Sequence, residues 1–313
     1  MQTRENSEEP PEKITPGSPF DDPRADAIIR SSDNVDFKVH KLILSMASPV
    51  FSDMFLFPQM VQEDAELPVV TVSEGSPVMD WVLRATYPTA STELNELDFI
   101  YQIVQAADKY QMDFLVDRLM SPLGKFVESD PLRVFAVACR FKHVSLARRA
   151  AHYTLRLLQR DIIQAYIPEF KFMPSDMLQY LLRYHEQCSN AAVALTKEFT
   201  WVREYSACWW QCRNGKPGPT QCKPCEAKAV VIPGTVGRTS PRQWFVDCMA
   251  EAGECLAKRP IGTAVAWKRI PKSVRDCPTC GPACLDDLMA FSKILAEKVD
   301  EVAGNVKLDL DFA

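Results

Sequence analysis

Along "AIIRSSDNVDFKV" apolar and polar residues alternate on both sides of a polar turn. Residues Ala27 to Arg30 and Val35 to Val39 are therefore predicted to pair as a β-hairpin around "SSDN". The rhythm then changes. In "HKLILSMASPVFSDMF" the apolar residues Leu42, Ile43, Met46, Val50, Phe51, Met54 and Phe55 fall three and four apart, the spacing of a helix face. Ser48-Pro49 divides the stretch into two helices, with serine as the cap and proline at the first helical position. "LPVVTV" at 67–72 reads as a third short strand, and "SPVMDWVLRATY" opens a helix with the same Ser-Pro signal. Leu97, Ile100, Tyr101, Val104 and Ala107 predict an amphipathic helix, and another follows from Met112 to about Val127.

Downstream the pattern is helical. Asp130-Pro131 caps a helix whose face carries Leu132, Phe135, Ala136 and Cys139, and a second helix carries Leu146, Ala150, Tyr153 and Leu157. The short connection predicts an antiparallel pair. Residues 161–205 continue helical with breaks at Pro168 and Pro174, whereas 211–240 is rich in glycine and proline and reads as loop. Ser240-Pro241 starts a helix bearing Trp244, Cys248, Ala252 and Cys255, placing both cysteines in a core beside the tryptophan. A loop with "CPTCGPAC" leads to a last helix ending near Val302, and the alternation in "VKLDLDF" suggests a closing strand. No internal repeat is present.

The hairpin, helix pair, third strand and following helices resemble a BTB/POZ domain. Asp26, Ile28, Phe37, Val39, His40, Lys41, Leu44, Ser48, Phe51, Met54 and Phe55 follow its signature, roughly D-x-x-(about eight)-F-x-V-H-K-x-x-L-x-x-x-S-x-x-F-x-x-M-F. The resemblance covers residues 22 to about 126. With Tyr87-Pro88 it is similar to the BTB proteins expanded in fungi, many with a C-terminal region of paired cysteines. Phe37, Val39, Leu44, Phe51 and Phe55 have core as their simplest role, and His40 that of a polar corner residue whose ring bonds unpaired backbone groups. The helix pair still holds more apolar positions than a small sheet needs. The family implies that the surplus forms a homodimer interface, here around Val50, Phe51 and Met54. It also implies an adaptor role in cullin-type ubiquitin ligases, for which Val61-Gln62-Glu63 is the candidate motif, Val61 and Glu63 being its apolar and acidic members. An exposed acidic loop, "QEDAE", is the plainer explanation.

The 313 residues are enough for two cores, and 47% hydrophobic with 25% charged residues suits a globular chain. Net charge is −5, yet residues 211–280 hold 12 Lys or Arg against 5 Asp or Glu. The acidic body argues against nucleic acid as the main partner, and the basic segment leaves a DNA-contacting chromatin or transcriptional regulator as the alternative function. No apolar run approaches the ~18 residues of a membrane span. The first residues carry acids and prolines in place of a signal peptide, so an intracellular protein, nuclear or cytoplasmic and not secreted, is expected.

Of 11 cysteines, nine lie between Cys208 and Cys284. A reducing compartment disfavours disulfides. Cys222-x2-Cys225 and Cys277-x2-Cys280 sit in turn-forming loops that can aim four thiolates at one tetrahedral ion, which makes one structural zinc the candidate cofactor. Cys208-x3-Cys212 is a competing pair, buried thiols are the alternative to metal, and Cys188 near His185 is a weaker ligand candidate. Phosphate-binding glycine loops, a G-x-S-x-G elbow and H-E-x-x-H are missing, and no histidine follows His185, so no enzyme is expected. The expected fold is α+β: a disordered tail over 1–21, a BTB/POZ domain over 22–127 with a small mixed sheet and helical bundle, a helical extension over 128–205, and a cysteine-rich, mainly α-helical region over 206–313.

Overall fold

A computed structural model of the protein describes residues 16–56, 67–88, 93–198, 201–202, 243–267 and 280–310, with residues 243–244 and 280–287 described by backbone alone. The chain divides into two compact units, Met1–Phe126 and Val127–Ala313.

In the first unit β1 (Ala27–Arg30) is the centre of a three-stranded sheet of order β2-β1-β3. β2 (Asp36–Val39) pairs antiparallel with it, Ala27 opposite Val39 and Arg30 opposite Asp36. β3 (Val69–Thr71) pairs parallel, Ile28 opposite Val69. A parallel partner needs a crossover between the strands, and the predicted helix pair supplies it as α1 (Lys41–Ala47) and α2 (Pro49–Leu56). The hairpin turn places Asn34 at φ 63, a left-handed conformation that asparagine tolerates. Arg30 grips Asp36 through two hydrogen bonds of 2.6 and 2.9 Å where the strands meet the turn. α3 (Ser76–Thr86), α4 (Leu97–Lys109) and α5 (Asp113–Leu123) complete the unit. Ile29, Phe37, Leu44, Phe51, Met79, Leu83, Ile100, Ile103 and Tyr110 are fully buried in its core.

Residues 16–21, expected as part of a disordered tail, are placed against this unit. Phe20 is fully buried, its ring edge-on to Phe37 at 5.4 Å and to Tyr87 at 5.5 Å, while its carbonyl accepts from the Lys38 amide. A large aromatic beside the uncovered side of β2 gains more from burial than its segment loses in ordering.

The second unit is helical throughout its described residues: α6 (Pro131–Arg140), α7 (Val144–Thr154), α8 (Gln159–Gln164), a 3₁₀ turn at Pro168–Phe172, α9 (Ser175–Ala194), α10 (Gln243–Lys258), a 3₁₀ turn at Gly262–Ala264, and α11 (Cys280–Asn305). α6 is buried on nearly every side, with Arg133 an exception that reaches Glu169 of the first 3₁₀ turn at 2.6 Å. The extension and the cysteine-rich region, expected as separate, share one core. Ala192 and Leu195 at the end of α9 pack with Phe245, Met249 and Leu256 of α10 and with Leu288, Phe291 and Leu295 of α11. Cys139 and Cys248 are buried as expected of core thiols, and Cys188, a weaker ligand candidate, is buried as well. Cys255 is exposed, because the buried stripe of α10 runs through 245, 248, 249, 252 and 256 and passes it by. The strand expected after α11 is not formed at Lys307–Leu310. The unit offers no sheet edge among its described residues, and this stretch is held instead by burial of Leu308, whose carbonyl accepts from Arg148 Nε at 3.2 Å.

Candidate interaction surface

α1 and α2 are fixed by side chains that arrive from elsewhere in the chain. The His40 amide donates to the Tyr87 hydroxyl at 2.9 Å and the Lys41 amide to Asp26 Oδ1 at 2.7 Å, so two of the unpaired amides opening α1 find distant partners. The His40 ring does not cap the helix. It lies 3.4 Å from the Tyr87 hydroxyl and 3.7 Å from an Asp22 carboxylate oxygen. The expected cap on α2 is present: the Phe51 amide donates to Ser48 Oγ at 3.0 Å, and that buried hydroxyl donates to the Tyr110 carbonyl at 2.6 Å. At α3 the expected Ser76 cap is replaced. Ser76 lies inside the first turn, and its amide and hydroxyl both donate to Asp33 of the hairpin turn. Hydrogen bonds from Ser31 and then Ser76 hold the Asp33 carboxyl below its ordinary range.

Behind the pair, Phe51 stacks on Tyr110 with ring centres 4.4 Å apart. The Tyr110 hydroxyl donates to Glu74, which also accepts from Lys109 Nζ at 2.7 Å. Burial and then the Glu74 carboxylate push the Tyr110 hydroxyl far above its ordinary range. Burial raises the Glu74 carboxyl, but hydrogen bonds from Lys109 and Tyr110 outweigh it and leave the group below its usual value. This anchor makes the inner face of the pair rigid core.

The outer face is apolar. Leu42 is 72% exposed and Met46, one turn on along α1, 82%, while Leu56 at the end of α2 is 81% exposed. Of the three residues expected at an interface, Val50 and Met54 are partly exposed and Phe51 is fully buried, so Phe51 is core and presents nothing outward. Leu42 and Met46 were legible only as members of the same apolar set; their spacing of four puts them on one side, yet periodicity does not tell an inner stripe from an outer one. Val61 and Glu63 lie outside the described residues, as do Cys222, Cys225 and Cys277, and of Cys280 only the backbone at the start of α11 is described. Among the described residues no cluster of three or more His, Cys, Asp or Glu could hold a metal, and no helix is long and apolar enough to cross a membrane.

A small mixed sheet crossed over by a helix pair, with its inner face locked and its outer face apolar, defines a protein-interaction fold. Residues 20–125 match the family model of the BTB/POZ domain, and this part of the chain is a BTB/POZ domain, a module of protein–protein interaction. No curated protein matches the chain.

Proposed function

We propose that the protein self-associates through the outer face of α1 and α2 and acts as an adaptor that delivers a bound partner to a cullin-type scaffold. The observation that carries self-association is the exposure of Leu42, Met46 and Leu56 on two helices that are anchored to the core through Leu44 and Phe51. Leaving such residues in water forfeits ~1.5–3 kcal/mol for each that a partner could bury. A second copy would cover Leu42 and Met46 and close on Val50 and Met54 at the margin, and a stable interface of this kind covers at least ~1,000 Å².

Light scattering of the full chain at micromolar concentration is expected to give a dimer, and Leu42→Glu with Met46→Glu a monomer. Both residues are exposed, so the unfolding midpoint of the separated chain should be unchanged. A monomeric wild type overturns self-association. Phe51 is no probe of the interface, because truncating it opens a cavity in the core.

The adaptor half of the proposal rests on the BTB/POZ domain being followed by a helical unit and on the Val61-Gln62-Glu63 motif. Glu63→Lys should abolish capture of a purified cullin and leave the dimer intact, since Glu63 is not among the residues proposed for the self-association face. Wild-type protein that captures no cullin would show the adaptor role to be wrong while leaving self-association untouched.

A further inference from the structure

In the second unit positive charge from two elements converges on one concavity. Leu158, Gln159 and Arg160 at the start of α8 and Ala257, Lys258 and Arg259 at the end of α10 line a shallow trough of about 440 Å³. Both segments are tied to α9 behind them. Gln159 Nε2 donates to the Leu182 carbonyl at 3.3 Å, and Ser189 Oγ to the Ala257 carbonyl at 3.4 Å. The floor is mainly carbon, and three of the six lining residues are cations with no carboxylate among them.

Among the described residues these cations are little engaged. Lys258 and Arg259 enter no ion pair among the described residues. Arg160 Nε stands 3.3 Å from Asp161 Oδ1, but its side chain is 76% exposed, and a pair so wet is worth little and readily exchanged. A plainer role for Lys258 is to offset the partial negative charge where α10 ends. That role does not account for Arg160, which belongs to another helix and lines the same trough.

We propose that this trough binds an acidic segment of a partner protein. An apolar side chain of the segment lies over Leu158 and Ala257, and flanking carboxylates meet Arg160, Lys258 and Arg259, with the guanidinium groups able to take a carboxylate through two hydrogen bonds each. A peptide fits better than duplex DNA. A duplex presents a long row of phosphates, whereas three cations beside a short carbon floor suit a few carboxylates around one apolar side chain. The net charge of −5 also repels an extended polyanion at long range, while a short segment feels the local field. The proposal does not rest on self-association, since every residue lining the trough belongs to the second unit.

The test is fluorescence anisotropy of the full chain with a fluorescein-labelled peptide in which glutamates flank a central leucine. It should bind, lose affinity as salt rises, and bind about tenfold more tightly than its glutamine analogue, the change expected from losing charge-assisted contacts. Lys258→Glu with Arg259→Glu should cost a similar factor, with the far-UV spectrum unchanged because both residues are exposed. Arg160→Glu alone should also weaken binding, which a role confined to the helix end does not predict. Equal binding of the two peptides, or full affinity after charge reversal, overturns the proposal. So does failure of the acidic peptide to bind, with or without capture of labelled duplex DNA.

Discussion

His185 shows how one buried ring ties the second unit to pH. It is 2% exposed, with Nε2 2.8 Å from Thr154 Oγ1. The Thr154 hydroxyl gives its single proton to the Ala151 carbonyl at 2.6 Å, so Nε2 carries the ring proton. Burial lowers the pKa from 6.5 to about 4, which keeps the ring neutral at pH 7. The unfolded chain binds a proton below about 6.5 that the folded chain refuses until about 4. Stability from the neutral ring is thus complete above 6.5 and is lost as pH falls from there toward 4, by on the order of 3 kcal/mol. Half-buried His152 is lowered by burial as well, in the same sense. Urea unfolding at pH 7 and pH 5 should show the second unit weakened at the lower pH, and His185→Gln should narrow the difference. An unchanged difference would mean that the ring is not the group responsible.

At the scale of elements, the turn at Gly262–Ala264 depends on having no side chain. The Gly262 amide donates to Asp300 Oδ1 at 2.7 Å, and a β-carbon built at Gly262 would collide with the Ala296 carbonyl and with Asp300 Oδ2. The obstructing carbonyl is backbone inside α11 and cannot rotate away. Gly262→Ala is therefore expected to destabilise the second unit by about 2 kcal/mol through overpacking, measured as a shift in its urea midpoint with the BTB/POZ domain unaffected. A variant as stable as wild type would mean that the turn can lift off α11 at no cost. Asp26 and Asp33 act at the same scale on the first unit: each bonds the opening amide of a helix far away in sequence and so fixes that helix to the sheet.

For the whole molecule, the nine cysteines after residue 200 and the basic charge around them fall in the second unit. A zinc held by Cys222, Cys225, Cys277 and Cys280 would tether the start of α11, whose later residues Leu288, Phe291 and Leu295 belong to the shared core. Because such a site assembles only in the folded chain, its binding energy adds to the stability of that unit. Metal analysis of protein purified without chelator is expected to give about one zinc per chain. Cys280→Ser should release it and raise hydrogen exchange in α10 and α11 while leaving α1 to α5 protected. Zinc-free wild type with equal protection would instead identify these cysteines as buried thiols.

The amino-acid sequence by itself determined the BTB/POZ order of two strands, a helix pair, a third strand and further helices. It also determined the Ser48 cap and the hairpin, whose strands lie within a residue of their predicted bounds. These are local properties, set by periodicity, turn residues and capping chemistry within a few positions. Only the tertiary structure decided which apolar stripe faces in. Phe51 meets Tyr110 and is lost to the surface, whereas Leu42 and Met46 in the same run stay largely exposed. It likewise joined α9 to α10 and α11, although a glycine- and proline-rich stretch separates them in sequence. Burial depends on what the rest of the chain brings alongside, and neighbours in space need not be neighbours in sequence. The trough of Arg160, Lys258 and Arg259 is of this second kind, since almost a hundred residues of chain separate its two halves.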